Sequence, residues 1–174
     1  MNQTPLTNGN YYHIYNRGNN SDTIFYENEN YYYFLRLYEK YIEPIADTFA
    51  WCLLKNHFHF LVYIKTDDEI DLNLLSYSTI EKPKAVNASR QFSHFFNAYT
   101  QAINKQYKRT GSLFEKNFER KLVDTDEYFR KLIFYIHHNP VHHGFIDNMA
   151  AYPWSSYNSV ISNKPTKLQR NSVI

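Results

Sequence analysis

Residues 56–60 read Asn-His-Phe-His-Phe, and the run around them, Trp51 to Ile64, is otherwise almost wholly apolar. In a strand, residues two apart share a face, so His57 and His59 would stand side by side, roughly 7 Å apart at Cα. Phe58, Phe60, Val62 and Ile64 would fill the opposite face and account for the apolar character by themselves. Two imidazoles facing one way can converge on a metal ion. Equally, they can be partly buried histidines bonded to backbone or hydroxyl groups. The metal reading needs a third ligand from elsewhere in the chain.

A second cluster of reactive groups lies in RKLIFYIHHNPVHHG, residues 130–144. Phe129, Leu132, Ile133 and Ile136 have the spacing of a buried helical stripe. At 100° per residue, Tyr128, Tyr135 and Asn139 follow one flank of that stripe. Tyr135 and Asn139 are one turn apart, about 6 Å along the axis. A phenol and an amide so placed can point into a shared cleft. The alternative is a tyrosine at a core edge and an asparagine capping the helix before Pro140.

The elements carrying these groups follow from period and punctuation. Residues 11–18 (YYHIYNRG) alternate and end in a turn signal, as a strand does. Asn28 can cap a helix with apolar positions at Tyr31, Phe34, Leu35, Tyr38 and Ile42, stopped by Pro44. Strands are predicted at 47–54 and 57–65, then a polar stretch at 66–88 without clear period. A helix over about 89–107 is broken by Gly111, and 112–123 reads as another strand. Asp124, with Glu127 three residues on, opens a third helix by a capping-box pattern, and Pro140 should end it near Asn139. The order predicts an α+β fold: a ferredoxin-like split βαβ with an antiparallel sheet, helices on one face, and a further C-terminal helix carrying Tyr135.

The 174 residues suit one domain, with 1–9 and 163–174 expected as loose tails. Hydrophobic residues make up 43% and charged residues 21%, a globular balance. No apolar run reaches the roughly 18 residues of a membrane span, and no signal-peptide stretch opens the chain, so a cytoplasmic address without membrane partners is expected. The single cysteine, Cys52, excludes an internal disulfide. Residues 105–121 hold six Lys or Arg against Glu115 and Glu119, interleaved with Tyr107, Phe114 and Phe118. This fits a polyanion partner as well as it fits a solvated charged surface.

Taken together, the motifs resemble the HUH-type single-tyrosine transposases, named for His-hydrophobic-His, here His57-Phe58-His59. Within them the likeness is to the REP-associated tyrosine transposases. It rests on Tyr135-Ile136-His137-His138-Asn139-Pro140-Val141-His142-His143-Gly144 against the pattern YI-x-x-NPV-x-x-G, and on YHIYNRG, RTGSLFEKNFERKLV and PWSSY in the same order. It runs from about residue 11 to 160. The resemblance implies that His57 and His59 are paired metal ligands, Tyr135 the nucleophile, and Asn139 a third, amide ligand where insertion-sequence relatives have Gln. It implies Mg²⁺ or Mn²⁺ as cofactor and cleavage and rejoining of single-stranded or stem-loop DNA through a 5′-phosphotyrosine. Asn16, Arg17, Lys116, Arg120 and Lys121 are then the expected DNA contacts, and a homodimer stays open. A catalytically silent DNA-binding regulator of the same fold and a metal-dependent nuclease are the competing readings.

Overall fold

The computed structural model describes residues 5–75 and 86–173. Strands β1 (Asn10–Arg17), β2 (Ala46–Leu54), β3 (His57–Ile64) and β4 (Glu119–Val123) form one antiparallel sheet in the order β2-β3-β1-β4. Helices α1 (Asn28–Tyr41) and α2 (Ala88–Gln106) pack on one face, α3 (Asp126–His142) on the other, and a short α4 (Tyr157–Ile161) follows. This is the expected α+β, split βαβ arrangement.

The alternation of β3 explains both layers. Phe58, Phe60, Val62 and Ile64 enter an aromatic core with Phe34 and Tyr38 of α1 and Phe92, Phe95 and Tyr99 of α2. Leu61 faces the other way, with Ala50, Cys52 and Leu54 of β2, and meets Leu132 and Ile136 of α3. His57 and His59 share that second face, so the histidine pair lies on the side of the sheet that α3 covers.

Several boundaries differ from expectation for local reasons. Glu27, not Asn28, caps α1, in a reciprocal box with Asn30. Thr125, not Asp124, caps α3, its hydroxyl accepting the Tyr128 N–H at 3.2 Å. Pro140 does not end α3, which continues to His142. The stop falls at Gly144, whose φ of 69° suits a residue without Cβ. There the N–H groups of His143 and Phe145 bond the Asn139 and Pro140 carbonyls. The strand expected over 112–123 shortens to β4, because Phe114 and Phe118 both turn into the α2 core, with Asn117 at φ 58° between them. Within the polar stretch 66–88, residues 76–85 lie outside the described residues.

The C-terminal segment seals the β2 edge. Leu53 N–H donates to the Trp154 carbonyl, Ser156 N–H to Trp51, and Gln169 N–H to Thr48, each at 2.9 Å. A strand edge so occupied is not open for pairing with another chain. Lys167, expected in a loose tail, forms ion pairs with Glu39 and Glu43 of the α1 end. Among the described residues, no helix is long and apolar enough to cross a membrane.

Candidate functional site

β1 and β3 run antiparallel with Arg17 opposite His57 and Tyr15 opposite His59, so one patch of sheet collects these four side chains. α3 crosses above them. The result is a cleft of about 550 Å³ lined by His57, His59, Tyr135, Tyr15, His143 and Glu119, among others. The His57 and His59 rings are 5.3 Å apart between centroids, and the Tyr135 ring lies 5.4 Å from His59. Asn139, 1% exposed, brings its Oδ1 to 3.2 Å from His57 Nε2. The histidine pair, the phenol and the amide therefore meet, although 82 positions separate His57 from Asn139.

The other nitrogens of the two rings are also engaged. His57 Nδ1 lies 2.8 Å from Asn56 Oδ1, and His59 Nδ1 lies 3.0 Å from His13 Nε2. Asn56 is held because its hairpin turn is pinned from outside: Gly18 N–H donates to the Asn56 carbonyl, and Ile24 and Phe25 donate to that of Lys55. Gly18 itself has no room for a side chain, since a Cβ there would meet the Asp22 carbonyl oxygen at 2.0 Å. Burial is the main cause that lowers the pKa of His57 and takes His59 well below the ordinary imidazole value. Burial, with Lys121 nearby, brings His13 down to about 4. Neutral rings keep a lone pair for a cation.

The donor set suits one hard or borderline ion. Two ligands at right angles on an octahedral cation, with bonds of about 2.1 Å, lie about 3.0 Å apart. The 3.2 Å between His57 Nε2 and Asn139 Oδ1 is close to that spacing. Among the described residues no three His, Cys, Asp or Glu side chains are grouped to hold an ion, which leaves the two-imidazole, one-amide set as the candidate.

α3 is anchored from behind. His137, 4% exposed, places Nε2 at 2.8 Å from the Ser156 hydroxyl, and Ser156 Oγ also accepts the Trp51 N–H at 2.8 Å. Burial lowers the pKa of His137 to about 4. One hydroxyl thus ties the tyrosine-bearing helix to the β2 edge, which gives the PWSSY segment a structural purpose.

His13 and His137, to which no sequence motif gives a role, are both buried, one behind His59 and one under Ser156. Glu115, Glu119 and Tyr15 also line the cleft, although no local pattern places them near the pair. The β1–β3 register, which a single strand does not reveal, is what brings Tyr15 beside His59. Tyr128, on the same flank as Tyr135, packs beside the second core with Lys121 4.7 Å from its ring centroid, and is not among the lining residues.

The expected DNA contacts divide. Arg17 lines the cleft, paired with Glu115 at 3.7 Å. Asn16 is buried, its side chain donating to the Glu115 carbonyl and accepting the Arg17 N–H. Lys116 and Arg120 line a neighbouring groove of about 410 Å³ beside α2. Arg120 and Lys121 alternate on β4 and face opposite sides: Arg120 bonds Ser89 of α2, whereas Lys121 lies over Tyr128 of α3. They do not form one patch.

Fold and site together describe an α+β protein with a His-Phe-His pair on the sheet and a tyrosine helix laid over it. No family model matches the chain. A curated Haemophilus influenzae protein named "Putative REP-associated tyrosine transposase" is 26% identical over 112 residues, which are 64% of this chain and 58% of that protein. The match therefore spans little more than half of that relative. A solved structure of a REP-associated tyrosine transposase bound to a REP hairpin superposes with a TM-score of 0.67 at 15% identity, covering 95% of this chain and 87% of that one. The chain stands close to the REP-associated tyrosine transposases, and it shares their fold.

Proposed function

We propose that the protein cleaves and rejoins single-stranded or stem-loop DNA, with Tyr135 as nucleophile, as in DNA transposition. The observation that carries this is the meeting of Tyr135, His57 and His59 at one cleft, with the buried Asn139 against His57. The hairpin DNA bound by the structural relative supports the substrate class. Tyr135 is 44% exposed, so an unpaired strand can reach its hydroxyl. Attack of that oxygen on phosphorus forms a 5′-phosphotyrosine while the P–O3′ bond breaks. The phenol's proton is matched by the one the departing 3′ oxygen takes up, and no water is consumed. Because one ester replaces another, a later 3′-OH can reverse the step and rejoin strands.

His57, His59 and Asn139 would hold Mg²⁺ or Mn²⁺, with the imidazoles favouring Mn²⁺. A bound ion supplies Lewis-acid stabilisation of charge on the non-bridging oxygens. Three neutral ligands bring no charge of their own, so affinity should rise when the phosphate is present.

A second reading, metal-dependent hydrolysis, draws on Glu115 and Glu119 in the cleft wall, where a carboxylate could position water. A stem-loop oligonucleotide labelled on both sides of the cleavage site separates the two. Wild type should yield a denaturation-resistant protein–DNA adduct, and Tyr135→Phe should bind the DNA without forming it. An adduct that survives Tyr135→Phe moves the nucleophile elsewhere, with Tyr15, whose ring is 5.8 Å from His59, the next to substitute. Cleavage leaving a free 5′-phosphate and no adduct favours hydrolysis.

A further inference from the structure

The Nδ1 atoms of both rings have side-chain partners of their own. Asn56 Oδ1 can only accept, so His57 Nδ1, 2.8 Å away, is the donor. A neutral His57 then has no proton left for Nε2. That lone pair faces Asn139 Oδ1 at 3.2 Å, two acceptors whose juxtaposition a cation would relieve. The 3.0 Å contact between His59 Nδ1 and His13 Nε2 holds one proton between two neutral rings. With that proton on His59, both ligand rings have the same tautomer. His13 is 7% exposed and diagonal to His59 on the β1–β3 ladder, opposite Leu61. Its position is set by the sheet register.

We infer that His13 and Asn56 are positioning residues that accept the Nδ1–H groups of His59 and His57, locking both rings in the tautomer whose Nε2 lone pair is free for a cation, that of His57 beside Asn139. This rests on the reading of His57 and His59 as metal ligands, and it adds the groups that orient them. The turn pinned by Gly18, Ile24 and Phe25 and the buried β1 strand keep the acceptors fixed before any ion arrives. The site is thereby preorganised from two segments, YHIYNRG and NHFHF, that adjoin only in the folded sheet.

Two readouts test it. Long-range ¹⁵N–¹H correlation spectra of the metal-free protein at neutral pH should show His57 and His59 as Nδ1–H tautomers. Titration with Mn²⁺ alone, followed by electron paramagnetic resonance, should show affinity about 10–100-fold weaker in His13→Phe and in Asn56→Ala. Asn56→Asp, which keeps the acceptor, should retain wild-type affinity or better. Circular dichroism checks folding. If His13→Phe does not fold, His13→Gln, which restores an acceptor near Nδ1, is expected to bind Mn²⁺ as wild type does. An Nε2–H signal on either ligand ring, or unchanged Mn²⁺ affinity in both acceptor-deleted variants, overturns the inference. If wild type binds no Mn²⁺, the metal reading fails, while the tautomer spectra still decide the assignment of His13 and Asn56.

Discussion

Ser156→Ala removes one oxygen from a fully buried site and should reveal how strongly α3 is tied to the sheet. In the fold, that oxygen contacts His137 Nε2 at 2.8 Å and accepts the Trp51 N–H at 2.8 Å. The residue is 0% exposed and His137 is 4% exposed, so water has little access to either group once the hydroxyl is gone. Each buried polar group left without a partner costs about 1–3 kcal/mol, giving about 2–6 kcal/mol for the pair. For a chain of this size that corresponds to a Tm lowered by about 4–24 °C. Urea unfolding with an unchanged m-value is the assay of choice. Ser155→Ala is the control in the same motif: among the described residues its hydroxyl accepts only a long, 3.4 Å contact from Tyr157 N–H, so about 1 kcal/mol or less is expected. Below the shifted transition the variant should still form the DNA adduct, since Tyr135 and Asn139 do not touch Ser156. A Ser156→Ala protein within about 0.5 kcal/mol of wild type, the range of ordinary surface substitutions, would refute this account. So would equal losses in both serine variants.

Buried histidines and the split of the basic strand β4 lead to two further outcomes. His13 and His137 are held near pKa 4 by burial, and His59 is lowered in the same direction. The unfolded chain therefore binds more protons below pH 6.5, so their contribution is intact above 6.5 and is lost as pH falls toward 4. The loss should approach about 1.4 kcal/mol per pH unit for each group, and stability by urea unfolding that stays flat from pH 7 to 5 would contradict it. On DNA binding, Lys121→Ala should lower the slope of log affinity against log salt by about 0.7, whereas Arg120→Ala should leave it nearly unchanged if the strand follows the α3 face. An equal drop for Arg120→Ala would route the strand through the groove beside α2.

Much of the fold was legible because its signals are local. Alternation in NHFHFLVYI marks a half-histidine, half-core strand, and the 3.6-residue spacing of Phe92, Phe95, Phe96, Tyr99 and Ile103 marks α2. Element order then predicts the split βαβ sheet. Boundaries were less legible where tertiary contacts compete with local rules. Phe114 and Phe118 leave the extended pattern because the α2 core takes their rings, and Pro140 stays helical while Gly144 supplies the stop.

For the site, residue types and spacing by themselves determined that His57 and His59 share a strand face and that Tyr135 and Asn139 stand one turn apart on a helix. Both facts follow from backbone period, which needs no partner. Only the tertiary structure decided that the strand face and the helix face are turned toward each other. It also decided that Tyr15, Glu119 and His143 join them, that His13 stands behind His59, and that Arg120 and Lys121 part company. Those relations depend on the register between β1 and β3 and on the seating of α3 over β2 through His137 and Ser156. Registers and seatings are set by side chains distant in the chain packing together, and no local pattern encodes them.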